Sequence, residues 1–247
     1  MLMTHHDPFS IIVPTFREAK NIPELIKRLA QIDFAPRAFE VIVVDDNSQD
    51  GIVEVVANLQ VFYSWLRLII RQKQKSLSVA AIEGFHQARF PLLILMDADL
   101  SHPPEKIHEM LSVLVDPSVD FVIGSRYIQG GSADEQWPVT RKISSRVAAL
   151  LAQWLISTSV KDPLSGFFAL KKSTLLQSDP LKPIGWKIGL ELMLKCRCHH
   201  IKEIPIHFSE RLHGKSKFNL RVASDYFRHL WRLFFYKMSC FWCRTSR

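Results

Sequence analysis

Asp97 and Asp99 lie two residues apart and are followed at once by Leu-Ser-His-Pro-Pro in this 247-residue chain. At the end of a buried strand, carboxylates at that spacing can face one hard cation directly or through water. Mg²⁺ typically takes one or two protein carboxylates and completes its shell with phosphate oxygens, so a metal bridging a diphosphate is the chemistry these residues suit. A second acidic pair, Asp45-Asp46, precedes Asn-Ser-Gln-Asp-Gly, where carboxylates serve equally well as turn formers or helix caps. Pro14-Thr-Phe-Arg-Glu18 and Ser125-Arg126-Tyr127 are two further polar clusters. No Gly-x-Gly-x-x-Gly follows a strand-like run, which disfavours a dinucleotide oxidoreductase. Gly214-Lys215-Ser216 lacks the glycine that a phosphate loop needs five residues earlier, where Ser209 stands.

Short apolar runs place these clusters. Ser10–Val13, Val41–Val44, Leu66–Ile70, Leu92–Met96 and Phe121–Ile123 read as strands, and the segments 21–31, 77–88 and 104–115 read as helices. The first helix shows its period in Ile22, Leu25, Ile26 and Leu29. Fully apolar strands alternating with helices predict an α/β fold with a mostly parallel sheet covered on both faces. In such sheets ligands sit outside the carboxyl ends of the strands, and all four polar clusters fall there.

The ordered set Val-Pro-Thr-Phe-Arg-Glu (13–18), Val-Asp-Asp-Asn-Ser (44–48), Asp-Ala-Asp-Leu-Ser-His-Pro-Pro-Glu (97–105), Gly-Ser-Arg-Tyr (124–127), Asp-Pro-Leu-Ser-Gly-Phe-Phe (162–168) and Gly-Trp-Lys-Ile-Gly-Leu-Glu (185–191) resembles glycosyltransferase family 2. Within it the likeness is to the dolichol- or polyprenol-phosphate mannose synthases, over roughly residues 10–220. The resemblance implies a Rossmann-like GT-A fold binding a nucleotide-sugar, GDP-mannose, and inverting transfer of mannose to a polyprenyl phosphate. It also implies residue roles. Pro14, Phe16, Glu18, Asp45 and Asp46 would lie by the nucleotide. Asp97, Ala98 and Asp99 would carry the Asp-x-Asp pair that holds Mg²⁺ or Mn²⁺, with Ser101 near that metal. Arg126, Lys187, Arg211 and Lys217 would surround the phosphates, and Arg141 and Ser145 would serve the acceptor. A phosphomonoester acceptor has a second pKa of about 6 and is largely dianionic at neutral pH, so no catalytic base is required.

The chain carries 32 basic and 24 acidic residues, and nine basic residues against one acid fall within 211–247. The remainder is balanced, so the basic character belongs to the tail. Drawn as a helix, 221–239 puts Arg221, Asp225, Arg228, Arg232 and Ser239 on one side, with Phe227, Leu230, Trp231, Phe234, Met238 and Trp242 largely away from it. That pattern suits a helix lying at a membrane interface, and it equally suits packing on the catalytic domain or on a partner's membrane helix. Segment 143–160, with Val147, Leu150, Leu151, Trp154 and Leu155, is a second contact segment or part of the core. The expected organisation is a catalytic domain over 1–220 and a membrane-interface tail over 221–247. No run reads as a membrane span and the N-terminus does not read as a secretory signal. The expected location is the cytoplasm, on the cytoplasmic face of a membrane, with a separate small membrane subunit as one means of attachment. Cys196, Cys198, Cys240 and Cys243 lie in helix-like stretches and read as free thiols in preference to a zinc site.

Two positions depart from the family pattern: Arg17 stands where Asn is common, and Lys75-Ser-Leu-Ser-Val-Ala-Ala replaces a glycine-rich approach to the nucleotide. A UDP-glucose-dependent polyprenyl-phosphate glucosyltransferase, or another family 2 enzyme, is therefore the alternative reading. A nucleic-acid-binding module is the alternative of another class, disfavoured because the Asp97/Asp99 rim repels phosphate without a metal and no nucleic-acid-binding signature is present.

Overall fold

The computed structural model describes residues 4, 6–72, 75–213 and 220–245, with side chains of the final helix described from 222 to 240. In chain order the elements are β1 (Phe9–Thr15), α1 (Ile22–Ala30), β2 (Phe39–Asp45), α2 (Ile52–Gln60), β3 (Leu66–Ile70), α3 (Leu77–Gln87), β4 (Leu92–Leu95), α4 (Ile107–Leu114) and β5 (Phe121–Ser125). They continue with β6 (Ser132–Ala133), α5 (Val139–Ile156), β7 (Phe168–Lys171), α6 (Lys172–Leu176), α7 (Ile188–Lys195), β8 (Ile201–Pro205), β9 (His207–Phe208) and α8 (Leu220–Thr245). All five apolar runs form strands: those of β1, β2, β4 and β5 are buried on both faces, where β-branched and aromatic side chains pack well, and β3 is a half-buried edge strand.

The sheet order is β3-β2-β1-β4-β7-β5-β8, and β6 pairs with β9 apart from it. Every neighbouring pair in the main sheet is parallel except those made by β7, which runs antiparallel between β4 and β5. Register sets the carboxyl ends level, since Thr15 pairs with Asp45 and Ile12 with Leu95. One core lies under α1, α2 and α4, and includes the four periodic residues of α1. The other lies under α3, α5, α7 and α8. Helix α3 approaches so closely that a Cβ on Gly84 would fall 2.5 Å from the Ile12 Cγ2, which leaves room for glycine alone.

The tail is tied into this frame. Leu230 and Leu233 of α8 are buried in the second core, while Phe227, Trp231, Phe235 and Met238 are exposed. The apolar residues of α8 therefore form two faces, one packed inward and one open. Arg221, Trp242 and Cys243 have side chains outside the described residues. No described helix is long and apolar enough to cross a membrane.

Glu191 of α7 fastens α8. It is wholly buried and bonds the Lys195 Nζ at 2.7 Å, the His229 ring at 3.2 Å and the Lys182 backbone N–H at 2.7 Å. Burial alone would raise this carboxyl, but the bonds from His229, Lys182 and Lys195 bring it down to about 2 from an ordinary 4.5. Because the folded value is the lower one, the stabilisation is complete above pH 4.5 and fades as pH falls toward about 2. Glu191→Gln is expected to lower Tm at pH 7, with the difference from wild type shrinking across that acid window.

Candidate active site at the strand ends

The turn after β4 shapes the acidic rim. Leu100 adopts a left-handed backbone at φ 62°, which folds Ser101 back so that its N–H and Oγ donate to the Asp99 Oδ1 at 3.1 and 2.5 Å. Arg211 places its Nε 3.1 Å from the Asp99 Oδ2. Asp99 is buried, whereas the Asp97 side chain is 43% exposed. The Asp97 N–H donates to the His102 Nδ1 at 3.1 Å, and the buried His102 ring stacks on Phe167. A Cβ on Gly166 would lie 3.3 Å from the His102 Cε1 and 3.5 Å from the Asp97 Oδ2, so glycine keeps this approach open. Desolvation, with the Asp99 charge added and His102 only partly offsetting it, pushes the Asp97 carboxyl above the usual range.

Cations converge from the other side. The Arg126 guanidinium donates through Nε and Nη2 to the two oxygens of the fully buried Asp162, each at 2.7 Å. Burial alone would lower Arg126, but these bonds and the Asp162 charge carry it above its ordinary value. The Lys187 Nζ donates to the Leu164 carbonyl at 2.7 Å, and burial together with Arg126 lowers it to about 8. Arg141 lies over the Trp137 ring, 3.7 Å from its centroid, and is lowered by burial and by Arg211 and Arg126. Lys187 and Arg141, each lowered in part by neighbouring cations, sit where an anion would be favoured.

These groups share one cleft of about 760 Å³. Pro14, Phe16, Glu18, Asp97, Ala98, Asp99, Arg126, Arg141, Ser145, Lys187 and Arg211 all line it, so most of the expected site residues are brought together. Asp45 is not part of the cleft lining: it is fully buried and takes the Thr15 hydroxyl at 3.1 Å and the Ser48 N–H and hydroxyl at 2.7 and 2.8 Å, the bonds of a turn former. Asp46 is likewise outside the cleft wall, paired with Arg71 and with the Ser76 N–H at 2.5 Å, and burial pushes its carboxyl up. Ser101 is wholly buried and spends its hydroxyl on Asp99, so it supports that carboxylate and does not face the cleft. Lys217 lies outside the described residues.

Asp162, His102 and Trp137 were missed as site residues. The first two stand inside the quoted motifs, which was the available signal, whereas nothing in the sequence distinguishes Trp137. Its Nε1 is buried without a hydrogen-bond partner, beside the cleft. Away from the charged rim, the cleft becomes an apolar trough between Val147, Ala148 and Leu151 of α5 and Val222, Ala223 and Phe227 of α8. Among the described residues no group of three or more His, Cys, Asp or Glu could cage a metal alone. Asp97 and Asp99 fit a cation that completes its shell with substrate phosphates.

Two outcomes follow for folding. Asp162→Ala leaves Arg126 buried without its counter-ion and is expected to cost about 3–5 kcal/mol in denaturant unfolding. Arg17 is left-handed at φ 64°, a conformation Asn tolerates better than Arg. Arg17→Asn is expected to raise stability by about 1 kcal/mol in the same measurement.

Comparison with known proteins agrees with this architecture. The glycosyl transferase family 2 profile matches residues 10–177. The dolichol-phosphate mannosyltransferase of Mycosarcoma maydis is 41% identical over 91% of this chain and 78% of its own length, and that of Saccharomyces cerevisiae is 37% identical over 93% and 88%. The one from Pyrococcus furiosus is 39% identical over 91% of this chain, which spans 63% of that relative. Among solved structures, a Pyrobaculum calidifontis mannosyltransferase in complex with GDP-Man and Mn²⁺ superposes with a TM-score of 0.61 at 17% identity, over 86% of this chain and 59% of its own. A Rubrobacter xylanophilus mannosyl-3-phosphoglycerate synthase does so at 0.67 and 18%, over 94% and 74%. With its mostly parallel sheet and GT-A architecture, the chain belongs to glycosyltransferase family 2.

Proposed function

We propose that this chain transfers mannose from GDP-mannose to a polyprenyl (dolichyl-type) phosphate, giving polyprenyl-phosphate mannose with inversion. The observation that carries the reading is the continuity of the cleft: carboxylates and cations at the sheet rim run directly into the apolar trough between α5 and α8. A sugar diphosphate suits the first half and a lipid-linked phosphate needs both. The names of the three dolichol-phosphate mannosyltransferase relatives support the same reading.

Asp97 and Asp99 would hold Mg²⁺ or Mn²⁺, which supplies charge stabilisation for the departing nucleoside diphosphate. Arg211, 3.1 Å from the Asp99 Oδ2, would be close enough to a metal-bound diphosphate to turn its guanidinium toward a phosphate. Arg126, fixed by Asp162, and Lys187, charged at neutral pH, face the developing diphosphate charge. Arg141 on its Trp137 platform, with Ser145 held by the Tyr127 hydroxyl at 2.7 Å, orients the acceptor phosphate. Arg suits this pairing because its planar fork takes two oxygens. His102 does not serve as a base, since its Nδ1 already accepts the Asp97 N–H and burial lowers its pKa. A dianionic phosphate nucleophile needs none.

A membrane surface is the expected setting. Val139, Ile143, Val147, Leu150 and Trp154 of α5 and Phe227, Trp231, Phe235 and Met238 of α8 are exposed apolar residues at helical spacing. Val147 and Phe227 also line the trough, so the apolar end of the cleft opens at this face.

The test is incubation of purified protein with Mn²⁺, polyprenyl phosphate and labelled GDP-mannose or UDP-glucose in parallel, followed by organic extraction. Lipid-soluble label from GDP-mannose is expected, and label from UDP-glucose alone would reassign the sugar. Asp99→Ala should reduce transfer at least ~10²-fold, and EDTA should stop it until Mn²⁺ is restored. Trp154→Ser combined with Trp231→Ser should lower vesicle cosedimentation while leaving GDP binding unchanged.

A further inference from the structure

An open cavity of about 290 Å³ lies at the junction of α7 and α8, walled in part by Asp179, Lys182, Lys195, Arg232 and Tyr236. Its acids are already neutralised. Glu191, buried beneath it, is held by Lys195 and His229, and Asp179 accepts the Tyr236 hydroxyl and lies 3.6 Å from Arg197. Positive charge is left over. Arg232 comes no closer to Glu191 than 3.6 Å, and its Nη2 is buried without a hydrogen-bond partner. Lys182 gives its backbone N–H to Glu191, while its exposed side chain enters no ion pair among the described residues.

A buried guanidinium N–H without an acceptor, beside a lysine without an ion-pair partner among the described residues, leaves room for an anionic ligand. We propose that this cavity is a phosphate-binding site distinct from the reaction cleft, with Arg232 and Lys182 as its ligands. The volume suffices for a phosphate group and several waters, each water occupying about 30 Å³. The phosphate comes either from a lipid headgroup or from a free phosphate ester. Headgroup access is geometrically direct, since 100° per residue puts Arg232 and Tyr236 one step round α8 from the exposed Trp231 and Phe235. The site stands on its own geometry and does not depend on which sugar the cleft transfers.

The experiment uses the full chain and the variants Lys182→Gln and Arg232→Gln. Lys182 is exposed, so its variant keeps the fold even if the second weakens it. Cosedimentation with phosphatidylcholine vesicles, with and without phosphatidylglycerol, is run beside the Tm rise produced by inorganic phosphate against chloride at matched ionic strength. Phosphate also suits the reaction cleft, so the readout is the difference between wild type and variant. Loss of about fivefold in partitioning onto the anionic vesicles alone, for each charge removed, identifies a headgroup site. A reduced phosphate-induced Tm rise with unchanged vesicle binding identifies a free phosphate ester. Variants that match wild type in both measurements overturn the proposal.

Discussion

The buried carboxylate of Asp162 fixes Arg126, and much of the rim depends on that contact. It takes the Arg126 backbone N–H at 3.0 Å as well as the Nε–Nη2 edge of the guanidinium. The backbone N–H groups of Lys161 and Asp162 donate in turn to Glu203 on β8, at 2.8 and 3.0 Å. The loop before β7 is thereby pinned to the far side of the sheet. Reversal of β7 between β4 and β5 then carries Gly166 against His102 and Asp97. The antiparallel strand is what brings the carboxylates after β4 and the guanidinium after β5 to one wall.

That wall is electrostatically incomplete without ligands. The Asp99 charge disfavours that of Asp97, and neighbouring cations disfavour the charges of Lys187 and Arg141. Under the proposed function, a divalent cation on the acids and a diphosphate against the cations would offset both repulsions, and each ligand would strengthen the site for the other. Two carboxylates alone are a weak Mg²⁺ or Mn²⁺ site, which ties the metal to the presence of substrate.

Much of this was legible in the sequence because buried parallel strands advertise themselves as apolar runs and their carboxyl ends carry the chemistry. The five expected strands and the helix with Ile22, Leu25, Ile26 and Leu29 are present. Asp97, Asp99 and Arg126 meet in one cleft as the ordered motifs implied. Other features depend on tertiary contacts that spacing does not encode. Asp45 and Asp46 look alike in sequence, yet Asp45 bonds Thr15 and Ser48 while Asp46 pairs with Arg71 and the Ser76 N–H. The direction of β7 follows from pairing on both its edges. In α8 the helical period showed amphipathicity, but Leu230 and Leu233 could be told from Trp231 and Phe235 only once α5, α7 and Glu191 were in place.

The central claim is that the cleft is built for a metal–diphosphate pair, and Mn²⁺ binding followed by electron paramagnetic resonance tests it directly. The account predicts weak Mn²⁺ binding by the protein alone, strong tightening when GDP is added, and loss of that tightening in Asp97→Asn with the fold intact. Mn²⁺ affinity indifferent to GDP, or unchanged by that substitution, would contradict it.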